Sequence, residues 1–271
     1  MRKFVVILTI ILLYSVACKK EDFLWDLPRG ECNFVYSAWS SWSPNNIQTR
    51  TYTSSPPECT SKPPQDSIQR LCVILPSVKI GSQTWTSKNL DVSTYRTGEI
   101  IPQVQDGRAW SELKTGAWCY YQNQTANGSI YGKLYNWYAV NDPRGLAPKG
   151  YHIPSDAEWT MLTTYLGGET LAGGKMKETG FSHWFYPNSN ATNTSGFEGL
   201  PGGECNPAYN ATFQQINAFG SWWSSTYVTT NWSNTPQKRP RYATLHFDNG
   251  NLISSISASP NNGFSVRCIK D

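Results

Sequence analysis

The stretch Gly145-Leu-Ala-Pro-Lys-Gly-Tyr-His-Ile-Pro-Ser-Asp-Ala-Glu-Trp-Thr-Met-Leu-Thr-Thr-Tyr-Leu-Gly-Gly168 decides how the chain folds. Ser155 and Glu158 have capping-box spacing, so the hydroxyl and the carboxylate can each satisfy a free amide at a helix start. Trp159, Leu162 and Leu166 then recur at helical spacing, and Gly167-Gly168 stops the run. Around this helix the patterns are short and mixed. Val78-Lys-Ile80 and Thr84-Trp85-Thr86 flank Gly81-Ser82 as a hairpin. A second helix is expected within residues 134–140, ahead of Asp142-Pro143, and a short third near residues 175–178. Gly173-Gly174, like Gly167-Gly168, reads as a cap or turn flanking a helix. Residues 242–247, Asp248-Asn249-Gly250 and residues 251–256 read as strand, turn, strand. Residues 263–268 read as a last strand. The class is α+β, with few helices, many short strands and long loops.

Composition sets the surroundings. Of 271 residues only 15% are charged, against about 25% in an average soluble domain. The 12 Trp, 15 Tyr and 10 Phe exclude a disordered chain. The net charge of +4 is too small and too evenly spread for a nucleic-acid partner. Past the first 17 residues no apolar run reaches the roughly 18 needed to span a bilayer.

The N-terminus points to export. Met1-Arg2-Lys3 is a basic n-region and residues 4–13 an apolar h-region, so residues 1–17 read as a signal peptide. Ser15-Val16-Ala17-Cys18 resembles a lipoprotein processing site of the Bacteroidetes type, although Ser15 stands where Leu is usual. That resemblance implies lipidation of Cys18, with palmitate-like chains holding the protein to a membrane. Lys20-Glu21-Asp22 resembles the surface-export signal of such lipoproteins, implying an outer-membrane protein that faces the cell exterior. Residues 18–30 are then a lipidated tether. Asp66-Ser67-Ile68 resembles an O-glycosylation acceptor of such exported proteins, with Ser67 as the candidate.

Two modules follow. Residues 31–75 form a unit too small to bury a sufficient core unaided. Trp39, Trp42 and Arg50 are spaced to stack indole and guanidinium faces as a cation–π ladder. With Cys32 and Cys59 they resemble a thrombospondin type 1 repeat, which implies a thin three-stranded shape and a Cys32–Cys59 bridge. The family's usual Cys after the second Trp is replaced by Ser43-Pro44, so Cys72 lacks its partner.

In residues 76–271, five blocks stand in order. They are Val78-Lys-Ile-Gly-Ser-Gln-Thr-Trp85, Tyr131-Gly-Lys-Leu-Tyr-Asn-Trp-Tyr138, Gly145-Leu-Ala-Pro-Lys-Gly-Tyr-His-Ile-Pro154, Trp222-Trp-Ser-Ser-Thr226 and Gly263-Phe-Ser-Val-Arg-Cys268. They resemble the Fibrobacter succinogenes major paralogous domain, whose fold is similar to C-type lectin and formylglycine-generating-enzyme-like domains. The resemblance implies a loop-rich domain with neighbouring ends and no established catalysis. It also implies a Cys119–Cys268 pair, since family members often carry Cys at those positions. From the residues alone, six cysteines other than Cys18 allow 15 pairings. Cys72 and Cys205, one in each module, are expected either to bridge the modules or to stay free or pair otherwise.

Chemistry motifs are sparse. The sequence has no Gly-x-Ser-x-Gly elbow, no HExxH and no phosphate-binding Gly loop. His152, His183 and His246 lack metal spacing, and the Glu-Pro-Asn and Gln-Pro-Asp calcium motifs of true C-type lectins are absent. The reading is therefore no enzyme, no cofactor and no metal. It is a surface-exposed binding or adhesion module for glycan or protein, the alternative being a structural accessory subunit of an outer-membrane complex. The ligand-binding candidates are Trp184, Tyr186, Trp232, Arg239 and Arg241, in segments read as loops between residues 180 and 262. For Trp184 and Trp232, binding and plain packing both remain open.

Overall fold

The computed structural model describes residues 75–232, 235–255 and 258–271, and the backbone of four short strands ahead of them. The chain divides into two units, Met1–Ile74 and Leu75–Asp271. In the first, β1 (Asn33–Tyr36) pairs with β3 (Tyr52–Ser55), and β2 (Ile47–Thr49) with β4 (Gln69–Leu71). Among the described residues these are two two-stranded ladders. Cys18, Cys32, Cys59, Cys72, Trp39, Trp42, Arg50 and Ser67 lie outside the described residues.

The second unit hangs on two consecutive tryptophans. Successive side chains on a strand point to opposite faces. Trp222 and Trp223, in β12 (Phe219–Trp232), therefore enter different cores. Trp222 packs with Trp85, Trp159, Phe197 and Leu245, its ring 5.6 Å from Phe197. Trp223 packs with Tyr135, Trp137 and Val266, its ring 4.5 Å from Phe264. A buried indole N–H needs an acceptor. Trp222 donates to Asn89 at 2.8 Å and Trp223 to the Tyr135 carbonyl at 2.7 Å.

The ladder between β12 and β13 (Thr235–His246) breaks after Trp223 and resumes at Tyr227. Such a bulge re-aims the backbone. Here the Ser225 amide donates to the Pro154 carbonyl, and the Thr226 hydroxyl accepts from the Asp156 amide. The block Trp222-Trp-Ser-Ser-Thr226 thus joins two cores and seats the capped helix. The sheet runs β11 (Thr212–Ile216), β10 (Gly202–Asn206), β12, β13, β14 (Leu252–Ser255).

A second sheet runs β5 (Ser77–Ile80), β6 (Gln83–Thr86), β15 (Ile269–Lys270), β9 (Tyr151–His152). It brings the two ends of the domain together, as the family resemblance implies. Arg267 locks this junction. Its guanidinium is fully buried and donates to Asn89 Oδ1 at 2.7 Å, to the Thr86 and Phe197 carbonyls at 2.7 and 2.8 Å, and to the Glu198 carbonyl at 2.9 Å. Only an Arg fork offers that many donors in fixed directions.

The helix Asp156–Tyr165 carries the full capping box, and it buries Trp159 and Leu162. The hairpin at Gly81-Ser82 also forms. Three expectations need correction. Residues 134–140 are not one helix. Leu134–Tyr135 is a strand, β8, paired with β7 (Trp118–Cys119), and Asn136 caps the short helix Trp137–Val140. The third helix is Glu169–Met176, and Gly173-Gly174 lies inside it rather than beside it. A Cβ on Gly173 would meet the Asn251 carbonyl at 2.1 Å, and one on Gly174 the Asn190 carbonyl at 2.5 Å. Close approach of two loops, not a turn, requires both glycines. Residues 263–268 form isolated bridges instead of a strand, because Gly263, Phe264 and Ser265 each face a different element: Cys205, Tyr135 and Trp222.

Candidate functional site

Between the helix Glu169–Met176 and β10 the chain makes a long irregular excursion, residues 177–199. It is fixed from beneath. Lys177 is fully buried, and its ammonium donates to the carbonyls of Ser189, His246 and Asn249 at 2.8–2.9 Å. Burial pushes this ammonium down to about 8, which leaves it charged at neutral pH. The Asn249 carbonyl belongs to the Asp248-Asn249-Gly250 turn, so this turn serves as a lysine acceptor. Asn188 donates to the Glu178 and Gly180 carbonyls at 2.9 and 2.8 Å. Trp184 is 1% exposed, and its indole donates to the Gly199 carbonyl at 3.0 Å.

Buried anchors leave the remaining aromatics outside. Phe181, Phe185 and Tyr186 are 61%, 53% and 80% exposed. The Phe181 and Tyr186 rings lie 5.6 Å apart at 51°, and Phe185 stands edge-on to Phe247 at 6.2 Å. His183 bonds Glu178 at 2.9 Å and stands edge-on to the Tyr131 ring. The neighbouring Phe181 and Tyr186 rings, exposed on a fixed loop, form a small ledge that can receive the apolar face of a sugar ring or an apolar side chain.

The sequence candidates separate accordingly. Tyr186 is on this ledge. Trp184 is a core residue, so of the two roles left open for it the structure shows packing. Arg241 forms a half-buried ion pair with Asp156 at the start of the capped helix, so its charge is engaged. The segment around Trp232 is not a loop. It is the far end of the β12–β13 ribbon, with Trp232 opposite Thr235. The Trp232 side chain lies outside the description. Arg239 sits on that ribbon opposite Val228, next to Lys238, whose ammonium lies 4.3 Å from the Tyr227 ring. Phe181 was not among the candidates. Nothing in a non-periodic segment marks which aromatic faces out.

A cleft of about 580 Å³ opens elsewhere, beside the start of the capped helix, with walls that include Arg96, Leu146, His152, Ser155, Glu158 and Ser225. His152 bridges Glu158 and Asp271 at 2.7 Å each. Burial alone would lower its pKa, but the bonds to Asp271 and Glu158 outweigh that and raise it. Arg96 donates to the Ala147 and Tyr151 carbonyls at 2.9 and 2.8 Å. The polar groups here hold the walls to one another. No sequence pattern joins residues 152 and 271, so this bridge is invisible before folding.

The described cysteines do not follow the expected pairing. Cys119, Cys205 and Cys268 are buried thiols. Cys119 shares its cluster with Cys205, and Cys268 belongs to another. Cys119 thus keeps company with Cys205 in that cluster. Burial raises the Cys119 thiol well above its usual range and pushes Cys268 up to about 12. Among the described residues no group of three or more His, Cys, Asp or Glu is arranged to hold a metal ion. No helix among them is long and apolar enough to cross a membrane.

No curated protein and no solved structure matches the chain. Its blocks do match a family: residues 78–270 correspond to the Fibrobacter succinogenes major domain, and the chain belongs to that family.

Proposed function

We propose that this is a non-catalytic, surface-exposed lipoprotein whose C-terminal domain is a binding or adhesion module for glycan or protein. The observation that carries the reading is the ledge of Phe181 and Tyr186, exposed on a loop whose buried side is pinned by Lys177, Trp184 and Asn188. Exposed aromatics cost solvation unless something covers them, and a pre-fixed loop loses little entropy on binding. The engaged histidines, His152 with Glu158 and His183 with Glu178, support a structural rather than a chemical role for those groups. The finer parts of the reading rest on the sequence: a lipid on Cys18, outer-membrane anchoring facing outward, and a thrombospondin-like module built on Trp39, Trp42 and Arg50.

A glycan array and a surface-protein pull-down with the full chain test this. Phe181→Ala with Tyr186→Ala should weaken binding at least about tenfold and leave the melting temperature nearly unchanged. Binding that survives both substitutions sinks the ledge as the site. The second reading, an accessory subunit of an outer-membrane complex, draws on the ribbon of residues 227–240, which stands beyond the neighbouring strand. It predicts co-purifying membrane proteins that are lost when the ribbon is shortened. Labelled palmitate incorporation that disappears in Cys18→Ala tests the anchor.

A further inference from the structure

The buried thiols have no part in the binding reading. Cys119, in β7, lies opposite Leu134. Cys205, in β10, exchanges backbone hydrogen bonds of 3.0 and 2.8 Å with Gly263. Gly263 has no side chain to part the two strands. A Cβ there would stand 2.8 Å from the Cys205 Cβ and 3.4 Å from the Leu134 Cβ. Cys119 and Cys205 share a fully buried apolar cluster with Trp110, Ala117 and Leu134. The Cys205 thiol is close enough to add to burial in raising the Cys119 thiol. Cys268 packs instead with Tyr135, Trp223 and Val266.

We propose that Cys119 and Cys205 are the native disulfide pair of this domain, with Cys268 remaining a thiol. The bond would tie the β7–β8 pair to the five-stranded sheet through its strand β10. Its biological setting rests on the export reading above, since disulfides persist in oxidising compartments. The oxidant is a disulfide, protein or small molecule. One cysteine attacks it as a thiolate to give a mixed disulfide, and the second cysteine displaces the remaining thiol. The two cysteines lose two protons and two electrons, and the oxidant leaves as two thiols. Burial keeps the Cys119 thiol protonated in the folded domain, so the bond must form while β7 and β10 are still open to solvent. Once closed in, it should resist reductants.

The test is refolding of the full chain from denaturant in a glutathione redox buffer, followed by alkylation and non-reducing peptide mapping. The expected result is a peptide joining Cys119 to Cys205, with Cys268 alkylated. A Cys72–Cys205 or Cys119–Cys268 peptide overturns the proposal, as does alkylation of both Cys119 and Cys205. The joined pair should survive dithiothreitol in native buffer and open only in denaturant. Under oxidising conditions the double variant Cys119→Ser, Cys205→Ser should melt on the order of 10 °C lower than Cys268→Ser. Equal melting points would count against the bond. Because the buffer supplies the oxidant, these outcomes do not depend on export. If the pair joins in the buffer but is reduced in protein recovered from cells, the compartment reading fails and the pairing stands.

Discussion

Two excursions leave the sheet, and they are held in opposite ways. Residues 177–199 have almost no repeating structure, yet Lys177, Trp184 and Asn188 send hydrogen bonds from inside the loop to carbonyls at Gly180, Ser189, Gly199, His246 and Asn249. Residues 227–232 and 235–240 form a continuous antiparallel ladder, but among the described residues β14 pairs only with residues 242–245. The ribbon's bonds run mainly between its own two strands, and an isolated two-stranded ribbon is marginal in water. Pro236 and Pro240 remove two donors from β13, which blunts an otherwise exposed edge. Regularity and anchoring are thus separate properties. The irregular loop is the rigid platform, and the regular ribbon is the arm.

The largest effect that could break this contrast is at Lys177. Lys177→Met leaves three carbonyls without their buried donor. A buried acceptor left unpaired costs about 1–3 kcal/mol, so the three together should cost about 3 kcal/mol or more. Denaturant unfolding should show that loss, and limited proteolysis should cut within residues 177–199. A loss below about 1 kcal/mol would mean the loop is not held this way. Next is Gly173→Ala. In an ordinary helix interior this change gains about 1 kcal/mol. Here the new Cβ meets the Asn251 carbonyl at 2.1 Å, so the sign should reverse, to a loss of about 1–3 kcal/mol in the same measurement. A gain would show that the turn at residues 249–251 can move away freely.

The ribbon should respond weakly. Replacing residues 229–238 by an Asn-Gly turn is expected to change stability by less than about 1 kcal/mol, measured by thermal melting. A large loss would make the arm part of the folded core. The smallest effect is the bridge at His152. Its folded pKa is raised, so its pairing with Glu158 and Asp271 contributes fully below the ordinary value of about 6.5. That contribution fades as pH rises through the folded value. The pairs are partly exposed, so solvent screening keeps the effect below about 1 kcal/mol. Unfolding midpoints between pH 5 and 9 should show the slope, and His152→Gln should flatten it.

What the sequence discloses follows the range of the interactions. The Ser155–Glu158 box and the Gly81-Ser82 hairpin are written in a few adjacent residues, and both are legible. The five family blocks carry the domain identity for the same reason. Gly173-Gly174 reads as punctuation, because the carbonyl that forbids a side chain at Gly173 belongs to Asn251, far along the chain. Lys177 and Arg267 are illegible as core residues, since cations are rarely buried and their carbonyl acceptors are fixed only by the finished fold. Trp184 and Tyr186 are two residues apart with opposite fates. In a loop without a period, their spacing says nothing about which one turns inward.

Arg267 and Ile269 have one more consequence, in the timing of synthesis. Strand β15 lies between β6 and β9, and Arg267 fastens the first hairpin region to the loop before β10. A ribosome that has released everything up to residue 260 has produced Trp222, Trp223 and every helix of this domain among the described residues. It has not yet produced the piece that closes the second sheet. Such a nascent chain cannot complete its core by folding as it emerges, because pairings this distant form late. The domain therefore completes its fold only after its last dozen residues are free, and a truncation there should cost far more than its length suggests.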